Sequence, residues 1–233
     1  VWGGGILSSW GTMDFAGGIV VHATAGTAAL VTALTLGKRR GFPKSITPPH
    51  SPILTMIGAS MLWIGWFGFN AGSALGANGG AGMAMLVTHI SAATASLVWM
   101  FIEWKRFGKP SLIGIVTGMV AGLATVTPAS GYIGVPGGLI LGFLGGLLCY
   151  LAVDYIRGKL QIDDSLDVFA VHGVGGILGT LLVAFLATST FSGLGLAEGQ
   201  TGTSQFIIQL KAVVLTVIWT SFFTYLILKL TSL

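Results

Sequence analysis

Two short stretches hold the residues best suited to chemistry: DFAGGIVVHATAG, from Asp14 to Gly26, and DVFAVHGVGG, from Asp167 to Gly176. Each sets an aspartate, then small and branched apolar residues, then a histidine, then glycines. A neutral imidazole carries one donor and one acceptor nitrogen and titrates near neutrality, so it can take up a proton and pass it on. His22 follows Asp14 by eight residues, about 12 Å along a helix, and Gly18, His22 and Gly26 share a four-residue spacing. The histidine therefore lies on a helix face bordered by bare backbone, which suits close contact with another helix. A structural histidine bonded to a neighbouring helix is the plainer alternative.

A third group lies in WIGWFGFNAGS, Trp63 to Ser73. Trp66, Phe69 and Ser73 fall at i, i+3 and i+7 and line one face of a helix; such an aromatic stripe serves either core packing or a ring stacked below a hydroxyl. Trp2 suits an interfacial aromatic belt or a ring face that holds a cation. His50 follows two prolines and His89 has no aspartate echo, so neither repeats the paired pattern. The lone Cys149 excludes an intrachain disulfide and a Cys-based metal site. No nucleophile with a base and an orienting group, and no metal-ligand cluster, stands out. The reading is of a protein that is not an enzyme and needs no cofactor or metal.

The elements that must carry these residues follow from composition. Hydrophobic residues make up 53% of the chain and charged ones 8%, against roughly 25% charged in an ordinary globular domain; mean hydropathy is +0.88. This is a membrane protein, and its 37 glycines sit inside apolar runs where they serve packing. A bilayer core about 30 Å thick needs roughly 20 apolar residues per helix. Seven runs fit, near 14 to 37, 51 to 74, 82 to 102, 111 to 129, 134 to 156, 165 to 189 and 206 to 228. Loops with Lys38, Arg39, Arg40 and Lys44, with Lys105, Arg106 and Lys109, and with Arg157 and Lys159 alternate with loops that hold no Lys or Arg. The positive-inside rule assigns the basic loops to the cytoplasm. The net charge of +4 is then topological and calls for no nucleic acid. Lys211, near the outer end of the last run, suits snorkelling to the interface, and a retinal-type photoreceptor built on it is disfavoured by that position.

Gly114, Gly118 and Gly122 recur every fourth residue, as do Gly138, Gly142 and Gly146, which predicts two helices packed tightly on one another. The two histidine stretches lie on runs of opposite direction, as an inverted repeat would place them, with the site between the halves. The opening VWGGG reads as the continuation of a longer protein.

DFAGGIVVHATAG with the run to GKR, then GWFGFNAGS, ATVTPASGYIGV and DVFAVHGVGG, resemble the ammonium transporter family (Amt/Mep/Rh), more closely its Amt branch. The motifs occur in the family's order and cover nearly the whole chain. The resemblance implies an all-α, polytopic transmembrane bundle of eleven spans, of which this chain is similar to spans five to eleven. Residues 1–233 would then be a single transmembrane domain, the C-terminal portion of that fold, and seven spans would not enclose the pore alone. By resemblance, His22 and His172 are the twin histidines of the pore, Phe69, Trp66 and Val168 gate and line it, and Trp2, Ser73 and Asp14 belong to the external ammonium site. The aspartate's part there is structural and electrostatic. The resemblance further implies a homotrimer in the plasma or inner membrane that conducts ammonia derived from ammonium. The alternative is an ammonium sensor coupled to a downstream signalling module or a cytoplasmic regulatory protein.

Overall fold

The computed structural model describes residues 1–232, and among them every regular element is helical. Six helices are long and apolar enough to cross a membrane: α1 Gly18–Leu36, α2 Pro52–Gly72, α3 Gly79–Phe107, α5 Val135–Lys159, α6 Phe169–Leu186 and α7 Gly202–Thr231. Between α3 and α5 lies α4, Leu112–Val126, with 15 residues. At 1.5 Å per residue it covers about 22 Å, short of a full span. Its chain continues through a turn at 127–134 that is mostly buried. The expected seven apolar runs are all present; the fourth is the short one, closing just before Pro128, and ten of its residues are buried, Gly114, Val116, Gly118 and Met119 among them.

Side-chain caps open four of these helices. Ser51, Asn78, Ser111 and Thr201 each accept a bond from a backbone N–H of the first turn, satisfying groups that a helix leaves unpaired. Pro52 and Pro136 occupy first-turn positions, where proline forfeits no helical bond.

The glycine stripes pack, but not on each other. A methyl group placed on Gly118 would lie 2.6 Å from Trp99 Cβ, on Gly142 2.6 Å from the Ser91 carbonyl, and on Gly146 2.9 Å from the Ala95 carbonyl. Both stripes therefore face α3, one from each side. The two helices do pack on one another, as expected, at Gly145 against Thr125, but their four-residue glycine repeats are not that seam and instead let both helices close on a third.

The first and sixth helices carry the histidines, and both begin with a wide turn. Gly18–Ala23 and Phe169–Gly173 are π-helical and pass directly into α-helix at Thr24 and Val174. Glycine brings the two helices together. A Cβ on Gly26 would overlap the backbone of Gly173, and one on Gly176 would lie 2.6 Å from the Cβ of His22. Position numbers that rise on one helix as they fall on the other show α1 and α6 to be antiparallel. The glycines flanking each histidine are thus the crossing point, as their spacing predicts.

Candidate functional site

The site is built on that crossing. Nδ1 of His22 and Nδ1 of His172 stand 3.2 Å apart, with ring centroids 5.2 Å apart and the planes tilted by 32°. A hydrogen bond between two Nδ1 atoms holds one proton, so one ring donates and the other accepts. With both rings neutral, the acceptor carries its own proton on Nε2 and the donor leaves its Nε2 bare. The pair is therefore polarised: only the donor ring's Nε2 can take up a further proton, and the two rings exchange roles when that Nε2 gains a proton, the shared proton moves across, and the other ring releases the proton on its own Nε2. His22 is 2% exposed, and its Nε2 finds no hydrogen-bond partner among the described residues.

Aromatic rings fix the pair from the side. Trp66 stacks on His22 at 5.2 Å with planes 15° apart and lies 6.5 Å from His172, nearly parallel to it. Phe69 meets His22 edge-on at 6.1 Å and Trp66 at 5.7 Å. The indole N–H of Trp66 donates to Thr127 Oγ1 at 2.9 Å, and that hydroxyl donates to the Leu123 carbonyl, so the tryptophan is pinned in the plane that stacking requires. These rings, with Val21, Ala25, Leu62, Gly65 and Val168, line a cavity of about 530 Å³ whose walls are almost wholly apolar. Val168 also borders a second cavity, of about 430 Å³, toward the basic-loop end. The α1 face that runs through His22 and Ala25 continues there as Ala29, Thr32, Ala33 and Leu36.

Aspartates hold both π-helical turns in place. The Asp14 carboxylate, 2% exposed, accepts from the backbone N–H groups of Gly17, Gly18, Ile19 and Val20 at 2.6 to 3.3 Å. At the other helix that part falls to Asp164, which accepts from Val168, Phe169 and Ala170 at 2.9, 2.8 and 3.2 Å. The sequence reading placed the echo of Asp14 at Asp167, and the structure corrects it by three residues. Asp164 precedes His172 by eight residues, as Asp14 precedes His22; that shared spacing was the available signal. Asp167 instead turns back to Arg157, with both contacts at 3.1 Å.

Of the expected site residues, His22, His172, Trp66, Phe69 and Val168 come together at one cavity. Asp14 lies behind them as the cap of α1. Trp2 is 57% exposed; its indole N–H donates to the Asp14 carbonyl at 2.8 Å, and its ring lies over Gly17. Ser73 donates to the Phe69 carbonyl at 2.8 Å, one turn beyond the ring that meets His22. Among the described residues no hydrogen bond or ring contact joins Trp2 to Ser73. Thr127, which orients Trp66, was not singled out in the sequence, although it lies in the stretch ATVTPASGYIGV.

A bundle of apolar helices, with two imidazoles in contact at the wall of an apolar cavity, defines a polytopic membrane protein with a polar pair inside its apolar helices. Comparison with known proteins narrows this class. The model of the Ammonium Transporter Family matches residues 1–233, and the chain belongs to that family. It is 50% identical over 210 residues to the ammonium transporter Amt1 of Archaeoglobus fulgidus, an alignment that covers 89% of this chain and 53% of that protein. It is 45% identical to an ammonium transporter of Aquifex aeolicus over 98% of this chain and 53% of the relative. Among solved structures, Mep2 of Saccharomyces cerevisiae superposes with a TM-score of 0.81 at 36% identity, over 95% of this chain and 53% of that one. A Sensor Amt Protein superposes at 0.88 and 32% identity, over 97% and 57%. The chain thus spans about half the length of the curated relatives it matches.

Proposed function

We propose that this chain supplies the twin-histidine wall of an ammonium-conducting pore. The observation that carries this reading is the 3.2 Å contact of two imidazoles at an apolar cavity. A bare cation entering such a cavity forfeits its hydration without compensation, which is prohibitively costly. Ammonium that first releases a proton crosses as neutral ammonia. The imidazole pair offers that proton a separate route, because each ring can accept on one nitrogen and release from the other. Recruitment falls to the end where α1 begins and α2 ends. There Trp2 presents a ring face for cation–π attraction, worth about 2 kcal/mol once desolvated, and Ser73 presents a hydroxyl oxygen. Asp14 supports that end from beneath, holding Trp2 through its carbonyl and the helix start through its carboxylate. We place the basic loops in the cytoplasm, the bundle in the cell membrane, and three copies in the assembly, each with its own pore.

Sensing is the second reading, favoured by the structural likeness to a Sensor Amt Protein. The two separate on the full-length protein in proteoliposomes. Transport predicts a saturable ammonium-evoked current, and binding of ammonium without current favours sensing. Within the transport reading, Trp2→Leu and Ser73→Ala weaken half-saturation severalfold; unchanged affinity in both variants would remove them from the recruitment site.

A further inference from the structure

Where α1 and α6 cross, nothing but glycine backbone lies between them at Gly26 and Gly173. Contacts of that kind permit close approach but supply no interlocking side chains to fix the crossing angle. Beside the histidine contact itself, contacts further out along the helices help to set it. On the Asp14 side, the turn at Pro128 buttresses Gly18. On the other side, among the described residues, one side-chain hydrogen-bonded clamp joins the two elements. Arg39, three residues past the end of α1, grips Asp163 with its backbone N–H at 2.8 Å, its Nε at 2.8 Å and its Nη2 at 2.7 Å. The Asp163 side chain is 1% exposed and Arg39 50%, so the carboxylate is enclosed and both its oxygens are taken. The next residue, Asp164, is the cap on which the π-helical turn of His172 rests.

We infer that Arg39 is a positioning residue for the histidine pair: by clamping Asp163 it fixes the cap Asp164 and the far end of α1 together, and so sets how closely His172 approaches His22. From Gly26 to Leu36 is ten residues, about 15 Å of helix, which gives the clamp a long lever on a pivot of bare backbone. The Arg39 hydrogen bonds hold the Asp163 carboxyl below the usual carboxylate range, so the clamp is ionised at physiological pH. The planar guanidinium fork fits this bidentate geometry and a lysine does not. Small displacements matter at such a site, since misplacement of reacting groups by about 1 Å costs up to roughly a hundredfold in rate.

This inference rests on the ammonium-conducting reading, and the experiment separates the two. Full-length wild type and the variants Arg39→Lys, Asp163→Asn and Arg40→Ala are reconstituted, and maximal ammonium current is measured per folded protein alongside half-saturation. Absence of any wild-type current would sink the conducting reading itself. Given wild-type current, the clamp predicts that Arg39→Lys and Asp163→Asn each lower the maximum roughly tenfold, with half-saturation within about twofold because recruitment lies at the opposite end. Arg40→Ala, which removes a neighbouring arginine outside the clamp, leaves both values near wild type. Combining the two clamp variants adds little to either alone, as members of one interaction do. A maximum unchanged in both clamp variants, a loss as large in Arg40→Ala, or a change confined to half-saturation would each overturn the assignment.

Discussion

At the residue scale, the site depends on a few buried polar atoms and the partners they reach across the fold. Trp66 holds its plane because its indole N–H reaches Thr127, and both residues are buried. Thr127→Val keeps the shape and removes the acceptor, leaving a buried donor unpaired at a cost of about 1–3 kcal/mol. The expected result is a lowered melting temperature in detergent, restored by Thr127→Ser; an unchanged melting temperature would mean that the indole has another partner. Much of this scale was legible beforehand. His22 and His172 stood out by their matching surroundings, whereas helical periodicity put Trp66 and Phe69 on one face without deciding between core packing and a site, and only the family resemblance set them beside the histidines. Thr127 did not stand out, because it contributes through a non-local bond 61 residues away in the chain that no periodicity encodes. Asp164 was misjudged for a different reason. A cap is defined by the N–H groups it reaches, and three aspartates, Asp163, Asp164 and Asp167, compete for that part within five residues.

At the scale of elements, glycine decides which helices touch. The four-residue repeats were plain in the sequence, yet they name only a surface open to close approach and not the helix that fills it. α3 fills both stripes because it lies between α4 and α5, an arrangement set by tertiary packing. The α1–α6 crossing was easier to foresee, since its glycines adjoin residues with a chemical reason to meet. Gly26→Ala tests it. The added methyl overlaps the Gly173 backbone, which has no flexible side chain to yield, so destabilisation of about 1–3 kcal/mol or more follows. Gly58, in the exposed stretch of α2, meets nothing within 4 Å, and Gly58→Ala shifts stability by no more than about 1 kcal/mol. Thermal unfolding of the two variants side by side checks this; equal effects would show that the crossing tolerates separation.

On the scale of the whole molecule, two antiparallel helices that start alike give the site its symmetry. Each begins with an aspartate cap, continues through a π-helical turn bearing a histidine eight residues on, and passes into α-helix with a glycine at the crossing. The apolar helices around them account for the composition that marked a membrane protein at the outset, with large side chains such as Ile53, Met61 and Ile64 on α2 and Trp219 and Phe222 on α7 exposed at the flanks of the bundle. The central claim is that the bundle exists to bring the two imidazoles into contact along an apolar path. Ammonium-evoked current through the full-length protein, recorded with potassium as competing ion for wild type, His22→Leu and His172→Leu, tests it most directly. The account predicts that either substitution abolishes the current or lets potassium through, with the protein still folded. Wild-type current with wild-type selectivity in both variants would contradict it and leave the histidines a structural contact alone.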